Sequence, residues 1–251
     1  SNADKYLDTT VIDLLPSINL TYKITDRFQF RASAARTVSR PEFRELAPFT
    51  FYNFLNDNLA SGNPQLKRAT INNYDTRLEY FPGKGQIISV SGFYKTFENP
   101  IELLLRTGTS GQPELYYNNI ARANSFGAEF EYRMNLGWMN RTDSNSVFSR
   151  TTFYTNASYI RSAADLTQFA GLEEYPGSTR PLQGQSPYIL NVGLFYESKK
   201  DLMINFSYNY VGQRIAISGS IQEPSVWENG RHVLDFQIGK TWKEKYELKL
   251  N

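Results

Sequence analysis

The sequence lacks several features that point to common protein classes. It contains no cysteine, so disulfide scaffolds and thiol chemistry are excluded. Its single histidine, His232, gives little basis for a histidine-based metal cluster or a Ser-His-Asp site. The 27 basic and 25 acidic residues are scattered, with a net charge of +2 and no basic stripe. We therefore expect no catalytic residues, no metal, no cofactor and no nucleic-acid partner.

Long hydrophobic runs are also missing. The longest apolar runs contain only a few residues, against the roughly 20 that a membrane-spanning helix needs, and the mean hydropathy is -0.49. A membrane-spanning β-strand needs only every second residue to be apolar, so strands that cross a membrane stay possible. The 17 phenylalanines and 17 tyrosines favour strands over helices.

Apolar and polar residues alternate along much of the chain, in about ten stretches from Leu15 to the end. Alternation of this kind is typical of pleated strands that have one apolar and one polar face. The polar faces carry the charged residues Arg31, Arg77, Glu79, Glu129, Glu131 and Arg133. Three charges in a row, as at 129–133, must face bulk solvent or a water-filled lumen. We expect these side chains to face the lumen, or a plug inside it.

The connections between these stretches are alternately short and long. Short or moderate turns lie near Asp26, Gly83, Asn140, Lys200 and Glu244. The long loops cover roughly residues 38–69, 98–120, 162–186 and 213–231. Outer-membrane barrels have short turns on the periplasmic side and long loops outside. The pattern predicts an all-β fold, an antiparallel up-and-down meander that forms part of a transmembrane outer-membrane β-barrel.

The first long loop contains a helix-start signal. Ser39 is followed by Pro41 and by Glu42 three residues later, which is the pattern of a capping box with proline in the first turn. We expect about one helical turn there. Gly62, Asn63 and Pro64 predict a turn further along the same loop.

Several motifs in series resemble the barrel of TonB-dependent outer-membrane receptors, especially the Bacteroidetes type. They are RTVSRPEFRELAPF at 36–49, GNPQL at 62–66, NNYDTRLEYFP at 72–82, SVSGFYKTFENPIE at 89–102, NSFGAEFEY at 124–132 and PLQGQSPYILNVGLFYE at 181–197. The resemblance covers about residues 15–251, and the motifs are far more specific together than singly.

This resemblance implies a barrel of about 22 strands with a plugged lumen. We interpret residues 1–3 as a scar of tag removal and residues 4–251 as a partial barrel, with the N-terminal plug domain and the final strand outside this chain. The intact parent would import an iron chelate, a cobalamin or a glycan across the outer membrane of a Gram-negative bacterium. Its partners would be outer-membrane lipid, its own plug, the TonB energy-coupling complex reached through the plug, and possibly a surface lipoprotein.

Aromatic residues in the long loops are the candidates for ligand binding, because they offer flat contact area at low entropic cost. They are Tyr52, Phe54, Tyr116, Tyr117, Tyr175 and Trp227. The alternative for each is packing within its loop or a place in the aromatic girdle of the membrane boundary. The loop acids Asp57, Glu173 and Glu174 lack the spacing of a calcium loop.

Three other interpretations stay open at this point. A soluble, aromatic-rich β-sandwich could bind carbohydrate, a smaller barrel could be an outer-membrane enzyme, and a plugless barrel could be an adhesin or a structural protein. A ten-strand segment on its own would also expose two strand edges. We expect such a segment to close on itself, to pair its edges with another copy, or to misfold.

Overall fold

The computed structural model describes residues 11–53, 58–107, 111, 113–140, 146–167, 179–219, 224–242 and 246–251. In chain order, the strands are β1 (Ser17–Thr25), β2 (Phe28–Ser39), β3 (Thr50–Asn53), β4 (Asn58–Ser61), β5 (Ala69–Tyr80), β6 (Ile87–Glu98), β7 (Ile101–Thr107), β8 (Pro113–Asn119), β9 (Arg122–Asn135), β10 (Thr151–Asp165), β11 (Thr179–Arg180), β12 (Tyr188–Glu197), β13 (Leu202–Val211), β14 (Arg214–Ile217), β15 (Val226–Glu228), β16 (Arg231–Trp242) and β17 (Tyr246–Leu250). One short α-helix, α1 (Phe43–Leu46), and two 3-10 turns, Leu136–Met139 and Phe148–Arg150, complete the described elements. In these ranges, every helix is too short or too polar to span a membrane.

Ten long strands form one continuous wall. Their order is β1-β2-β5-β6-β9-β10-β12-β13-β16-β17, and each pairs antiparallel with the next strand in this order. Short connections join the strands at one end of the wall, and the long loops leave from the other. This topology confirms the predicted all-β meander of ten strands, and the edges of the wall are β1 and β17.

The two faces of the wall differ sharply in polarity. On the polar face, the register aligns Arg31 with Arg77, Arg77 with Ser91, and Ser91 with Glu129. On the other face, the aligned residues are apolar or aromatic, as in the row Tyr22, Phe30, Leu78, Val90 and Phe130.

The apolar face of the wall is uncovered. Ile18 is 68% exposed, Val90 54% and Leu234 67%. Within the described residues, no second sheet packs against this face, which excludes the β-sandwich interpretation. An apolar, uncovered face is what a barrel presents to lipid.

The buried core lies in the long loops. Their strands form a four-stranded sheet in the order β3-β4-β8-β7, and β14 pairs with β15. One apolar cluster contains Leu104, Ile120, Ala123, Ala164 and Leu166, and a second contains Ala60, Leu105, Leu115 and Ile217. We refer to β3, β4, β7, β8, β14, β15 and α1 together as the loop platform. The long loops are therefore largely structured.

Two local predictions need correction. The helix begins at Phe43 with Glu42 as its N-cap, and the capping box joins Glu42 to Glu45. Ser39 does not cap the helix, because it is the last residue of β2, where it pairs with Ala69. Alternation in the sequence predicts a strand that begins at Phe126 and another that ends at about Arg161. The corresponding strands β9 and β10 extend further toward the loops, to Arg122 and Asp165, because the loop core packs against those extensions.

Candidate functional site: the polar face and the loop platform

The charges of the polar face converge on Glu79 of β5. Its Oε2 accepts a hydrogen bond of 2.5 Å from Gln29 Nε2 and lies 3.2 Å from Arg31 Nε. Its Oε1 accepts a hydrogen bond of 2.8 Å from Arg77 Nε. Glu79 is only 5% exposed, so its charge is compensated almost entirely by these neighbours. We refer to these four residues, with Glu131, as the Glu79 network.

The network extends across the wall through Arg77. Arg77 Nη2 donates a hydrogen bond of 2.5 Å to Glu131 Oε2 on β9, two strands away. Glu129 is more weakly engaged, at 3.4 Å from Ser91 Oγ. Arg133 shares the face, aligned with Ile87 and with Tyr154. The structure thus joins Arg31, Arg77, Glu79 and Glu131 of the six predicted lumen residues in one network, and places Glu129 and Arg133 beside it.

The Glu79 network lies toward the end of the wall with the short turns. Glu79 is the last but one residue of β5, and Glu131 lies four residues before the end of β9. The two arginines and two glutamates neutralise each other. The Arg31 side chain is nevertheless 55% exposed and that of Glu131 36%. Both charges can therefore interact with a polar group that approaches the polar face of the wall.

A second polar cluster holds the loop platform together. Arg180 Nη2 forms an ion pair with Glu102 Oε2, and both side chains are nearly buried. Glu102 Oε1 accepts a hydrogen bond of 3.1 Å from the Gln183 backbone. The Gln183 side chain accepts from Leu103 N at 2.9 Å and donates to Ala216 O at 2.6 Å. Three long loops are therefore fixed to one another by Glu102, Arg180 and Gln183.

The GNPQL segment, residues 62–66, fixes the first long loop to its neighbours in the same way. Asn63 N donates to Glu45 O at 2.6 Å, which attaches the turn to α1. Asn63 Nδ2 donates to Tyr117 O at 3.3 Å, which attaches it to β8. The Asn119 side chain bonds the backbones of Lys67 and Asn99. The turn at Gly62, Asn63 and Pro64 was predicted from the sequence, whereas the contacts of Gln183 and Asn119 were not. Gln183 lies in one of the motifs, and Asn119 lies in none of them.

Two titratable groups at this corner of the platform have shifted pKa values. Burial raises the pKa of the Glu45 carboxyl, the Glu42 backbone N–H opposes this shift, and the Glu42 charge adds to it. Burial also raises the pKa of the Tyr117 hydroxyl, with further contributions from Glu45 and Glu42. Tyr117 therefore lies in a partly desolvated, acidic environment.

The predicted ligand-binding aromatics are spread over the loops. Tyr52 on β3 is 45% exposed, and Tyr116 on β8 packs against the cluster around Leu104. Trp227 on β15 is 47% exposed and lies in a groove with residues of the apolar face. Phe54 and Tyr175 lie outside the described residues, as do Asp57, Glu173 and Glu174. Their roles in ligand binding stay predictions.

His232 lies on the apolar face of the wall. Its Nδ1 is 2.8 Å from Tyr208 Oη, and its ring stacks near Tyr210 with centroids 4.6 Å apart. In the described part of the chain, no three His, Asp or Glu side chains cluster as a metal site would require.

Comparison with known sequences gives one family. The family described as "TonB dependent receptor-like, beta-barrel" matches residues 3–251. A search of curated protein sequences found no match.

Solved structures share the fold at low sequence identity. The siderophore receptor PirA from Pseudomonas aeruginosa has a TM-score of 0.62 and 15% identity over 94% of this chain and 37% of that chain. PirA from Acinetobacter baumannii has a TM-score of 0.63 and 16% identity over 94% and 36%. The copper transporter OprC has a TM-score of 0.64 and 14% identity over 93% and 32%. The chain thus spans about a third of the length of each of these proteins.

Proposed function

Because the chain belongs to the TonB-dependent receptor-like β-barrel family, whose members lie in the outer membrane of Gram-negative bacteria, we propose that it forms part of the wall of a transporter that takes up a scarce nutrient. The apolar face then contacts lipid, and the polar face lines the lumen. The Bacteroidetes type of the resemblance stays a prediction.

The observation that carries this proposal is the position of the Glu79 network. A charged face opposite a lipid-facing surface has to be solvated or covered by another polar surface, since unpaired charges are costly in lipid. The network lies at the short-turn end, which is the periplasmic end of such barrels. Arg31 and Glu131 present exposed charges of both signs there. These charges suit contact with a polar plug domain, through which the TonB complex would act.

The cargo that we propose is a metal chelate. Two of the similar structures are named as siderophore receptors and one as a copper transporter. Cobalamin and glycans are the other candidate cargoes. The loop platform supports recognition of a bulky ligand, because its loops are fixed by the Glu102, Arg180 and Gln183 contacts and so need little ordering on binding.

We propose further that the protein is not an enzyme. The family consists of receptors and transporters. His232, the residue on which a triad would depend, has its ring among tyrosines of the lipid-facing surface. A surface lipoprotein partner remains part of the proposal without a structural feature assigned to it.

Uptake by the full-length receptor in its host tests this function. Accumulation of ferric enterobactin, cupric ion, cobalamin and a labelled oligosaccharide would be measured in cells with and without the receptor gene, before and after a protonophore. The proposal predicts that one cargo, expected to be a metal species, accumulates only with the receptor and only with a proton gradient. An adhesin or a structural barrel would give no receptor-dependent accumulation of any cargo.

A further inference from the structure

The polar face of the wall has a charged part and an uncharged part. The polar faces of β2, β5, β6 and β9 carry all six predicted lumen residues, and Asp75 and Lys95 in addition. We call this part the charged half. Strands β10, β12 and β13 follow it in the wall and together contain only three charged residues, Arg161, Asp165 and Glu197. The character of the polar face therefore changes abruptly between β9 and β10.

These three charges leave the middle of the polar face of β10, β12 and β13 uncharged. Register places Arg161 opposite Phe126 on the apolar face, and Asp165, four residues later on the same strand, on that face as well. Glu197 is the last residue of β12, at the short-turn end of the wall. We call the polar face of these three strands the uncharged strip. It ends at β16, where Asp235 brings charge back to the polar face.

Asparagine side chains form a row across the uncharged strip. Asn156 of β10 is aligned with Asn191 of β12, and Asn191 is aligned with Asn209 of β13. Asn209 Nδ2 donates a hydrogen bond of 2.7 Å to Asn191 Oδ1. This bond leaves the amide nitrogen of Asn191 and the amide oxygen of Asn209 for other partners. The row can therefore both donate and accept hydrogen bonds.

Tyr154 lies against the uncharged strip instead of projecting into the lumen. It is aligned with Gly193, and a Cβ atom at Gly193 would be 2.1 Å from Tyr154 Cζ. Tyr154 Oη donates a hydrogen bond of 3.3 Å to Asn205 Oδ1 on β13. The ring therefore covers the glycine, and the hydrogen bond holds it there. Ser207 is aligned with Gly193 on the other side, so the middle of the strip leaves room in the lumen.

The charged half suits lasting contact with a polar domain. Arg31 and Glu131 keep exposed charges of both signs, and Asp75 and Lys95 add one charge of each sign. Complementary charges across an interface fix the register and orientation of two surfaces. The uncharged strip offers no comparable set of charges. A plug domain that is held by ion pairs is therefore held from the charged half.

The uncharged strip suits a molecule that has to move on. A passage must bind its cargo strongly enough to admit it and weakly enough to release it, at several sites in turn. Neutral amides and hydroxyls meet this requirement, because they donate and accept hydrogen bonds that are weaker than charge-assisted ones. A metal chelate of either net charge could pass along such a surface without an ion pair to break.

We propose that the cargo passes along the uncharged strip, between the plug and strands β10, β12 and β13, while the plug stays in contact with the charged half. The inference rests on the proposed transport function and adds to it the side of the lumen that the cargo uses. The row of Asn156, Asn191 and Asn209 supplies transient hydrogen bonds on this route. Tyr154, folded over Gly193, keeps the route open.

The test compares two serines at the same level of the wall. Ser91 in the charged half and Ser158 in the uncharged strip are both aligned with Glu129, one on each side of it. Two strand spacings separate them, which is about 10 Å. Ser91→Cys and Ser158→Cys are made in the full-length receptor, with any cysteine outside this chain replaced by serine. Ser207→Cys serves as the second strip position should Ser158→Cys fail to fold.

Cells that carry each variant are treated with a bulky, water-soluble maleimide, and the rate of labelling is measured on the receptor. Accumulation of ferric enterobactin, cupric ion, cobalamin and a labelled oligosaccharide is then measured. Binding of the same cargoes at the cell surface is measured in parallel, in the presence of a protonophore.

We expect Ser158→Cys to react about tenfold faster than Ser91→Cys in cells without cargo, because the plug protects the charged half. After treatment, Ser158→Cys cells should bind the cargo as before but lose its accumulation, whereas Ser91→Cys cells should accumulate it as the wild type does. Equal labelling of the two cysteines, or faster labelling of Ser91→Cys, would overturn the proposal.

Full accumulation after labelling of Ser158→Cys would overturn it too, since the cargo would then pass elsewhere. Loss of surface binding in the labelled Ser158→Cys cells would make the strip part of the binding site and contradict its role as a route. An absence of accumulation of every cargo in untreated wild-type cells would refute the transport function itself, and the route with it.

Discussion

At the scale of single residues, Glu79 shows how the inward surface of the wall accommodates charge. A nearly buried carboxylate is stable there because three donors, on Gln29, Arg31 and Arg77, surround it. Removing the acceptor charge while the donors remain leaves guanidinium groups undercompensated. The carboxylate is therefore worth more to stability than an exposed glutamate on the same face.

The substitution Glu79→Gln is expected to lower the free energy of unfolding of the full-length receptor by about 1–3 kcal/mol. Arg31 is half exposed, and solvent screening places the effect below that of a fully buried pair. The measurement is urea unfolding in lipid vesicles, followed by tryptophan fluorescence.

The matched control for this substitution is Glu129→Gln. Glu129 lies on the same face and has only a 3.4 Å contact with Ser91. Its change should be within about 0.5 kcal/mol. Equal effects of the two substitutions would contradict the central place of Glu79 in the network.

Sequence alternation could predict which charged residues share the inward face, but not which of them pair. Arg77 and Glu131 are 54 residues apart, and Glu102 and Arg180 are 78 apart. Their contacts depend on the register of strands that are distant in the sequence and on the packing of separate loops. Alternation excludes a shift of register by one residue, which would exchange the two faces, but a shift by two residues keeps the faces and changes the partners.

The stability of the loop platform depends on pH because of Glu45. Its unfolded-state pKa is near the ordinary 4.5, and its folded pKa is higher because of burial. The folded state therefore binds more protons between the two values, and its stability falls as the pH rises through this window. We expect hydrogen-exchange protection of α1 and of the Asn63 turn to be greater at pH 4.5 than at pH 7.

Glu45→Gln should remove most of this difference in protection factor, because the side chain no longer titrates. A control measurement on the β9 amides of the wall should show no comparable change. Greater protection at pH 7 than at pH 4.5 would contradict the direction of the shift.

At the scale of elements, α1 and the GNPQL turn depend on close backbone contact. A Cβ atom on Gly62 would lie 2.4 Å from Ala47 O and 2.7 Å from Arg44 O. Real Cβ atoms do not approach backbone oxygens so closely. Glycine at position 62 is thus required for the turn to reach the helix and for Asn63 to bond to it.

Gly62→Ala is therefore expected to displace α1 and to destabilise the first loop by about 1–3 kcal/mol, as overpacking does. Limited proteolysis of the receptor in membranes would detect this as faster cleavage within residues 40–68. Gly92→Ala is the control, because a Cβ there meets only ordinary contacts at 3.8 Å. Equal cleavage rates in the two variants would show that the turn tolerates a side chain.

Strands were predicted correctly where apolar and polar residues alternate strictly, whereas the start of the helix was predicted wrongly. Strands such as β2 and β9 were recognisable from alternation alone. For the helix start, the sequence predicted a capping box of Ser39 with Glu42, and the structure has one of Glu42 with Glu45. Pairing of Ser39 with Ala69 in the sheet excluded the first, and this pairing is a tertiary effect. The loop strands were missed because their pairing partners lie in other loops.

At the scale of the whole molecule, large apolar residues lie at the surface of the wall, where a water-soluble protein would have polar residues. Many of the large exposed apolar residues lie on the outward face of the wall, and the apolar clusters lie in the loop platform and where it meets the loop-side ends of β9 and β10. Strands β1 and β17 leave two open edges, which the remaining strands of a complete barrel would close. The same edges support the expectation that this segment alone closes on itself, pairs with another copy, or misfolds.

The central claim is that the two faces of this wall meet lipid and aqueous lumen respectively. This chain has no cysteine. Single cysteines are introduced at 128–131 on β9 and at 204–207 on β13 of the full-length receptor, with any cysteine outside this chain replaced by serine, and are spin-labelled in native outer membranes. Accessibility to oxygen and to a water-soluble nickel complex would then be measured by electron paramagnetic resonance. Labels at Phe130 and Phe206 should be quenched mainly by oxygen, and labels at Glu131 and Asn205 mainly by nickel, with a period of two residues. Equal quenching along the strands, or the reverse order, would contradict the account.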